Sequence, residues 1–309
     1  MARITITEFM DERAVAQLRA RHEVLYDPAL VDDAPRMLLE AATTDALVVR
    51  NRTQVRDALL TALVRCTVVG RLGVGLDNID VAGCEARGMR VIPATGANAL
   101  SVAEYVVTSA MLLLRGAFAS TAAVAAGQWP RNALGNGRET SGKKLGVIGF
   151  GSIGQLTARL ARGLGMEVIA FDAMLDKDAP VFRDSGIKRV TLEELVQQSD
   201  VITLHVPLVD ATRGLFDAGR IASMKAGAIL INTSRGHIVD LQAVASALRL
   251  GHLGGAAIDV FDQEPFAASE ALANCPNLLL TPHISGVSLE SNERVSFLIA
   301  DKVLQALAA

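Results

Sequence analysis

The chain is expected to be an α/β protein in which one doubly wound parallel sheet is inserted into a second, split parallel-sheet domain. Three observations predict this. Short apolar strands alternate with helical patterns from the first residues onward, and that rhythm implies parallel strands with helices on their faces. A second strand–helix series opens only at Lys144, with a glycine-rich turn behind its first strand. Some 25 residues follow the last strand, too few for a domain of their own, so the final helix must pack on the N-terminal sheet.

Taken in order, I-T-I at Ile4 reads as a strand and Asp11 to Arg21 as a helix. A-L-V-V at Ala46 is a strand, Val55 to Leu63 a helix and T-V-V-G at Thr67 a strand. G-V-G-L-D-N-I-D, Gly73 to Asp80, interrupts the rhythm with closely spaced glycines, and R-V-I-P at Arg90 is a strand stopped by proline. A long helix is expected from Ser101 to about Gly127, followed by the loop Q-W-P-R-N-A-L-G-N-G-R-E. The second series runs L-G-V-I-G-F, M-E-V-I-A-F-D, V-I-T-L-H, A-I-L-I-N, G-A-A-I-D-V and L-L-L-T. Six strands with helical material between several of them predict a doubly wound sheet. The three leucines at 278–280 are expected to be sheet core, and Leu289 to Leu307 is the closing helix.

Bulk composition excludes several classes of function. Of the 309 residues 50% are hydrophobic, and 30 basic side chains face 33 acidic ones for a net charge of −3. No basic excess marks a nucleic-acid surface, and no like-charged block marks a tail or membrane patch. Leu100 to Ala126 is the most apolar region, but Glu104, Arg115 and several hydroxyls interrupt it, so it falls short of the roughly 18 apolar residues of a membrane span. The N-terminus lacks a signal-peptide core, and a cytoplasmic location is expected. Cys66, Cys84 and Cys275 are too scattered for a disulfide framework or a metal site; no metal is expected.

The first chemical motif is G-F-G-S-I-G, with Gly149, Gly151 and Gly154 between the strand K-L-G-V-I and the helical Q-L-T-A-R-L-A-R-G-L-G. A glycine triplet alone is weak, but strand, turn and helix in this register form a pyrophosphate cradle: a tight turn, a close backbone approach and close helix packing. Eighteen residues past Gly154 the next strand ends in Asp172. A carboxylate there accepts bonds from ribose hydroxyls and repels a 2′-phosphate, which favours NAD over NADP.

A nicotinamide cofactor implies hydride transfer, so a substrate clamp and a proton relay are expected at the carboxyl ends of later strands. Arg235, in N-T-S-R-G, offers a two-pronged fork for a carboxylate. Glu264 stands in D-V-F-D-Q-E-P beside Asp259 and Asp262, and spacing does not choose among the three acids. His283 follows Pro282 at the lip of the last strand, where an imidazole could carry a proton at neutral pH.

At these residues the chain resembles the D-isomer-specific 2-hydroxyacid dehydrogenases, the family that includes D-3-phosphoglycerate dehydrogenase. The likeness runs through V-V-G-R-L-G-V-G-L-D-N-I-D, N-A-L-S-V-A-E, K-L-G-V-I-G-F-G-S-I-G, L-H-V-P-L, I-N-T-S-R-G-H-I-V-D, A-A-I-D-V-F-D-Q-E-P and L-T-P-H-I-S-G. It implies that Arg235 grips the substrate carboxylate, that His283 moves the proton, and that Glu264 pairs with the imidazole and raises its pKa. It also implies backbone amides of Leu72, Gly73, Val74 and Gly75 around the substrate carboxylate, with Val74 near the nicotinamide. Ser152 and Ile153 would meet the pyrophosphate, Val206, Pro207 and Thr212 the adenosine side, Thr233 and Asp259 the nicotinamide end, and Gly286 lies just past the histidine.

The resemblance further implies two Rossmann-like domains. Residues 1–97 and 285–309 would form a discontinuous, flavodoxin-like substrate domain and residues 98–284 the NAD-binding domain, with a homodimer made through the long helix. The chain departs from phosphoglycerate dehydrogenases in the loop after A-L-V-V, which reads Arg50, Asn51, Arg52, Thr53. If the two arginines face substrate, they favour a second anionic group, as in 3-phosphoglycerate or sulfolactate; otherwise glycerate, hydroxypyruvate or lactate types remain. The sequence ends without the regulatory domain some phosphoglycerate dehydrogenases carry, so feedback control through one is not expected. Two other readings are an NAD-binding corepressor-like scaffold and a formate dehydrogenase, which in this family carries glutamine at the place of Glu264.

Overall fold

The computed structural model describes residues 1–116, 120–176 and 178–308. Its chain divides into two compact units, Met1–Asn98 with Val287–Ala309, and Ala99–Gly286.

In the first unit β1 (Arg3–Ile6), β2 (Glu23–Tyr26), β3 (Ala46–Val49), β4 (Val68–Arg71) and β5 (Arg90–Pro93) form an all-parallel sheet of order β2-β1-β3-β4-β5. Side chains alternate across a strand, so each apolar strand feeds two cores. Ile4, Ile6, Val48 and Val68 face α1 (Glu12–Arg19) and α12 (Leu289–Ala308). Leu47, Val49 and Val69 face the opposite core with Leu59, Leu60 and Cys84 of α3 (Asp57–Ala62) and α4 (Val81–Ala86). The closing helix α12 approaches so tightly that a Cβ at Gly70 would stand 2.9 Å from Ile299. Chain order reverses between β1 and β3, which opens a crevice at their carboxyl ends.

In the second unit β6 (Lys144–Ile148), β7 (Glu167–Phe171), β8 (Lys188–Arg189), β9 (Val201–Leu204), β10 (Ala228–Asn232), β11 (Leu253–Ile258) and β12 (Leu278–Leu280) are all parallel. Their order is β12-β11-β10-β9-β6-β7-β8, the doubly wound arrangement with one added strand and a switch point between β6 and β9. One face packs on α5 (Ala99–Arg115) and α7 (Ser152–Gly163), the other on α9 (Leu192–Gln198) and α11 (Leu241–Arg249).

Several elements differ from the sequence reading. Two strands come in addition to those expected: β8 is two residues long, Lys188 and Arg189, and β2, as long as its neighbours, is only partly buried. The long helix runs as α5 to Arg115 and resumes as α6 (Thr121–Ala125); residues 117–119, inside the expected span, lie outside the described residues. The leucines of β12 are core only in part: the strand is the sheet edge, Leu278 and Leu279 are half-buried and pack against the two cores of the unit, and Leu280 is 39% exposed. Three apolar residues cannot report whether a neighbour strand exists on each side. No described helix is long and apolar enough to cross a membrane.

Candidate active site

The glycine turn joins β6 to α7. Gly149 has φ 91°, in the left-handed region, and a Cβ there would stand 2.3 Å from the carbonyl oxygen of His205; only glycine turns here without strain. A Cβ at Gly154 would meet the Gly149 carbonyl oxygen at 2.2 Å, whereas Gly151 faces open space. Gly151 is also the N-cap of α7 and supplies no side-chain hydrogen bond, so the amides of the first turn, from Ser152 and Ile153 on, face the open side of the turn. Asp172, just past β7, accepts from the amides of Phe150 at 2.7 Å and Met174 at 2.8 Å. It ties the turn to the second strand and keeps lone pairs for a further donor.

His283, Glu264 and Arg235 come from three loops at the carboxyl ends of β12, β11 and β10. Nδ1 of His283 lies 2.7 Å from Oε2 of Glu264, and Oε1 of Glu264 accepts from the Phe261 amide at 3.0 Å. Burial by itself raises the Glu264 carboxyl, but its bonds to His283 and Phe261 and the neighbouring Arg235 cation outweigh this and hold it below the usual carboxylate range. An ionised carboxylate only accepts, so Nδ1 of His283 carries the proton between them and Nε2 is left for other chemistry.

Arg235 reaches the Ser234 carbonyl oxygen through Nη1 at 2.6 Å. The next residue, Gly236, is pressed against the loop of Glu264: a Cβ there would fall 2.0 Å from the backbone carbon of Phe261. Arg235 and Glu264 therefore sit on loops in backbone contact. Of the three acids that spacing left open, Glu264 meets His283. Asp259 is fully buried and holds the turn behind the histidine through its carboxylate, and Asp262 lies near His237.

The other expected residues are described on each unit separately. Thr233 presents a buried hydroxyl with no hydrogen-bond partner among the described residues. Thr212 folds back on its own loop, donating to the Pro207 carbonyl oxygen at 2.7 Å, and Val206 packs against the sheet core. In the first unit the amides of Leu72 and Gly73 donate to the carbonyl oxygens of Val49 and Arg71, both at 2.8 Å. Arg50 is held by Asn292 at 2.8 Å and lies over the Phe9 ring at 5.7 Å. Arg52 is exposed and paired with Asp32.

Sequence reasoning passed over Glu8. This side chain is 5% exposed and lies beside the β1–β3 crevice, where its two oxygens accept the amides of Arg50 at 2.9 Å, Asn51 at 3.3 Å, Arg52 at 3.1 Å and Thr53 at 3.0 Å. Burial raises its carboxyl, and the bonds from Thr53, Arg50 and Arg52 more than reverse that. The signal in the sequence was an acid two residues past the end of a strand.

Residues 107–285 match the model of the D-isomer specific 2-hydroxyacid dehydrogenase NAD binding domain. The chain belongs to the D-isomer specific 2-hydroxyacid dehydrogenases. It is 49% identical to the (S)-sulfolactate dehydrogenase of Chromohalobacter salexigens, over 99% of each chain. It is 39% identical to the D-3-phosphoglycerate dehydrogenase of Haemophilus influenzae, over 83% of this chain and 62% of that one. Among solved structures it resembles the D-lactate dehydrogenase of Aquifex aeolicus complexed with NAD and lactic acid, with a TM-score of 0.86, 27% identity and coverage of 99% and 95%.

This dehydrogenase uses NAD, and its own residues fit that cofactor. Gly151 leaves room where a pyrophosphate must approach, α7 offers uncapped amides, Asp172 suits ribose hydroxyls, and Thr233, just past β10, has a buried hydroxyl with no hydrogen-bond partner among the described residues. It is an NAD-dependent enzyme of this family, and Glu264 stands against His283 at the place where the formate dehydrogenases of the resemblance carry glutamine.

Proposed function

We propose that this dehydrogenase interconverts a D-2-hydroxy acid bearing a second anionic group, of the sulfolactate type, with its 2-keto acid. The observation that carries the proposal is Arg50. Its guanidinium is fixed by Asn292 and the Phe9 ring, on a loop drawn tight by Glu8, at the switch point where open α/β sheets take ligands. Burial lowers the Arg50 pKa from its ordinary value while the Glu8 charge opposes that shift; a half-buried cation of this kind gains from an anionic partner. The kinship to an (S)-sulfolactate dehydrogenase over the whole chain supports the same class. The S label agrees with D specificity: sulfur ranks the sulfomethyl group above the carboxylate, so S sulfolactate has the spatial arrangement of a D acid.

In the oxidative direction the C2–H bond breaks with hydride leaving, and the hydroxyl proton passes to Nε2 of His283. NAD, when bound, supplies the hydride acceptor. The imidazolium formed is stabilised by the Glu264 carboxylate at 2.7 Å, in a half-buried setting where such a pair acts more strongly than in water. Arg235 binds the C1 carboxylate two-pronged; on the first unit the amides of Leu72 and Gly73 already donate, which leaves those of Val74 and Gly75 as its proposed carboxylate donors. Arg50 receives the sulfonate or phosphate; Arg52, paired with Asp32, contributes through the field of the loop. The unit Met1–Asn98 with Val287–Ala309 serves as the substrate domain.

A homodimer through α5 is part of the same proposal, supported by the exposed Leu100 and Met111 on that helix. The three free thiols suit a reducing cytoplasm.

The test is a kcat/KM panel with NADH and sulfopyruvate, phosphohydroxypyruvate, hydroxypyruvate and pyruvate. The doubly charged keto acids should lead, and Arg50→Ala should erase their lead while sparing pyruvate. A wild-type preference for pyruvate or hydroxypyruvate would overturn the proposal.

A further inference from the structure

Tyr105 of α5 is distant in sequence from every residue of the proton relay, yet its hydroxyl lies 2.6 Å from Oγ1 of Thr281. Thr281 donates in turn to Oδ1 of Asp259 at 2.6 Å. The Asp259 carboxylate also accepts the amides of Ile284 and Ser285, both at 2.8 Å, and its backbone oxygen accepts the amide of His283 at 2.8 Å. One buried side chain thus gathers both flanks of the catalytic turn.

That turn needs holding. His283 has φ 56°, a left-handed backbone that is uncommon for a residue with a Cβ and is kept here by its surroundings. Thr281, Ile284 and Ser285 supply the restraint by converging on Asp259, and the restraint sets where the imidazole points.

The direction of the chain follows from a proton inventory. Both Asp259 oxygens are accepting amide hydrogens, so Thr281 must spend its single hydroxyl proton there. The bond between Tyr105 and Thr281 is therefore donated by the phenol. Tyr105 keeps its proton at neutral pH, because burial pushes its ionisation up. Chains of hydroxyls polarise one another, and a fully satisfied one fixes each member's orientation.

We propose that Tyr105 is a positioning residue of the dehydrogenase reaction, acting through Thr281 and Asp259 to hold the left-handed turn that aims His283 at its proton-transfer partner and at Glu264. This role rests on the reading of His283 as the proton carrier.

Three variants and their combination test it: Tyr105→Phe, Thr281→Val and the double variant, with Thr281→Ser as the conservative control. The preferred keto acid is reduced with NADH across pH, and kcat, KM, the NADH Kd and Tm are recorded. Tyr105→Phe should lower kcat by about 10-fold, the scale expected when a proton carrier loses alignment, with KM and the NADH Kd within twofold of wild type. Thr281→Val should lose at least as much, Thr281→Ser should recover turnover, and the double variant should be no worse than Thr281→Val because both act along one chain.

Wild-type kcat in Tyr105→Phe overturns the proposal. So do kcat losses that multiply in the double variant, or an effect confined to Tm or KM. His283→Ala in the same assay separates the two levels. Full turnover there removes the His283 reading itself, while an inactive His283→Ala beside an unimpaired Tyr105→Phe removes only the positioning role.

Discussion

Nδ1 of His283 stands 2.7 Å from Oε2 of Glu264, and a second bond, from the Phe261 amide to Oε1, stops the carboxylate from rotating away. The imidazole thereby presents Nε2 outward in a single tautomer. Glu264→Gln keeps the shape and removes the charge. We expect kcat for hydroxy-acid oxidation to fall by about 10- to 100-fold with NAD binding intact, since the developing imidazolium loses its counter-charge. Steady-state kinetics at pH 7 checks this; unchanged kcat would detach Glu264 from the relay.

His283→Ala should reduce turnover by about 10²- to 10⁴-fold, the usual contribution of a positioned acid–base group. NADH binding, followed by its fluorescence, should stay within a few-fold of wild type. A variant that turns over normally would place the proton carrier elsewhere.

Arg235→Lys replaces a fork by a point charge on loops that are already in backbone contact at Gly236. Both KM for the keto acid and kcat should worsen, because orientation as well as charge is lost. Equal kinetics for the two side chains would argue against a two-pronged clamp.

Asp172→Ala should narrow the preference for NAD over NADP by removing the carboxylate that repels a 2′-phosphate. It also unties the part-buried amide of Phe150 and the exposed amide of Met174, so a stability loss of about 1 kcal/mol is expected, mainly from the Phe150 donor. The ratio of kcat/KM for the two cofactors is the measurement, and a ratio that stays put would remove the ribose role.

Glu8→Gln leaves four converging amides facing a group that is half donor. The loop of Arg50 should loosen, and KM should rise for doubly charged keto acids more than for pyruvate. Because the folded Glu8 carboxyl lies below its usual value, its stabilisation is present above the unfolded pKa of 4.5 and lost as pH falls through the folded one. The variant should accordingly show a shallower loss of stability in acid.

His205 supplies a second pH dependence. Desolvation lowers its pKa from 6.5 to about 3, so between those values the unfolded chain binds the proton and the folded chain does not. Stability therefore rises with pH across this window and is lost as pH falls from about 6.5 toward 3. Urea midpoints at pH 7 and pH 4.5 should differ, and His205→Gln should shrink the gap; an unaltered gap would assign it to other groups.

Local pattern encodes two strand–helix series, the Gly149–Gly151–Gly154 turn, and an acid at the end of the following strand. These are read within one βαβ unit, because period and turn chemistry are properties of neighbouring residues. The sequence brought His283, Glu264 and Arg235 forward, but as members of family motifs, and it left Asp259, Asp262 and Glu264 equivalent by spacing. Only the tertiary structure parted them, putting Glu264 on the imidazole across 19 residues and Asp259 beneath the turn. It alone brought Glu8 to the loop of Arg50, 42 residues away, and Tyr105 to Thr281 across 176. Strand order decides such meetings: which carboxyl ends share a crevice depends on how the parallel sheets are wound, and no stretch of sequence short enough to show a period carries that information.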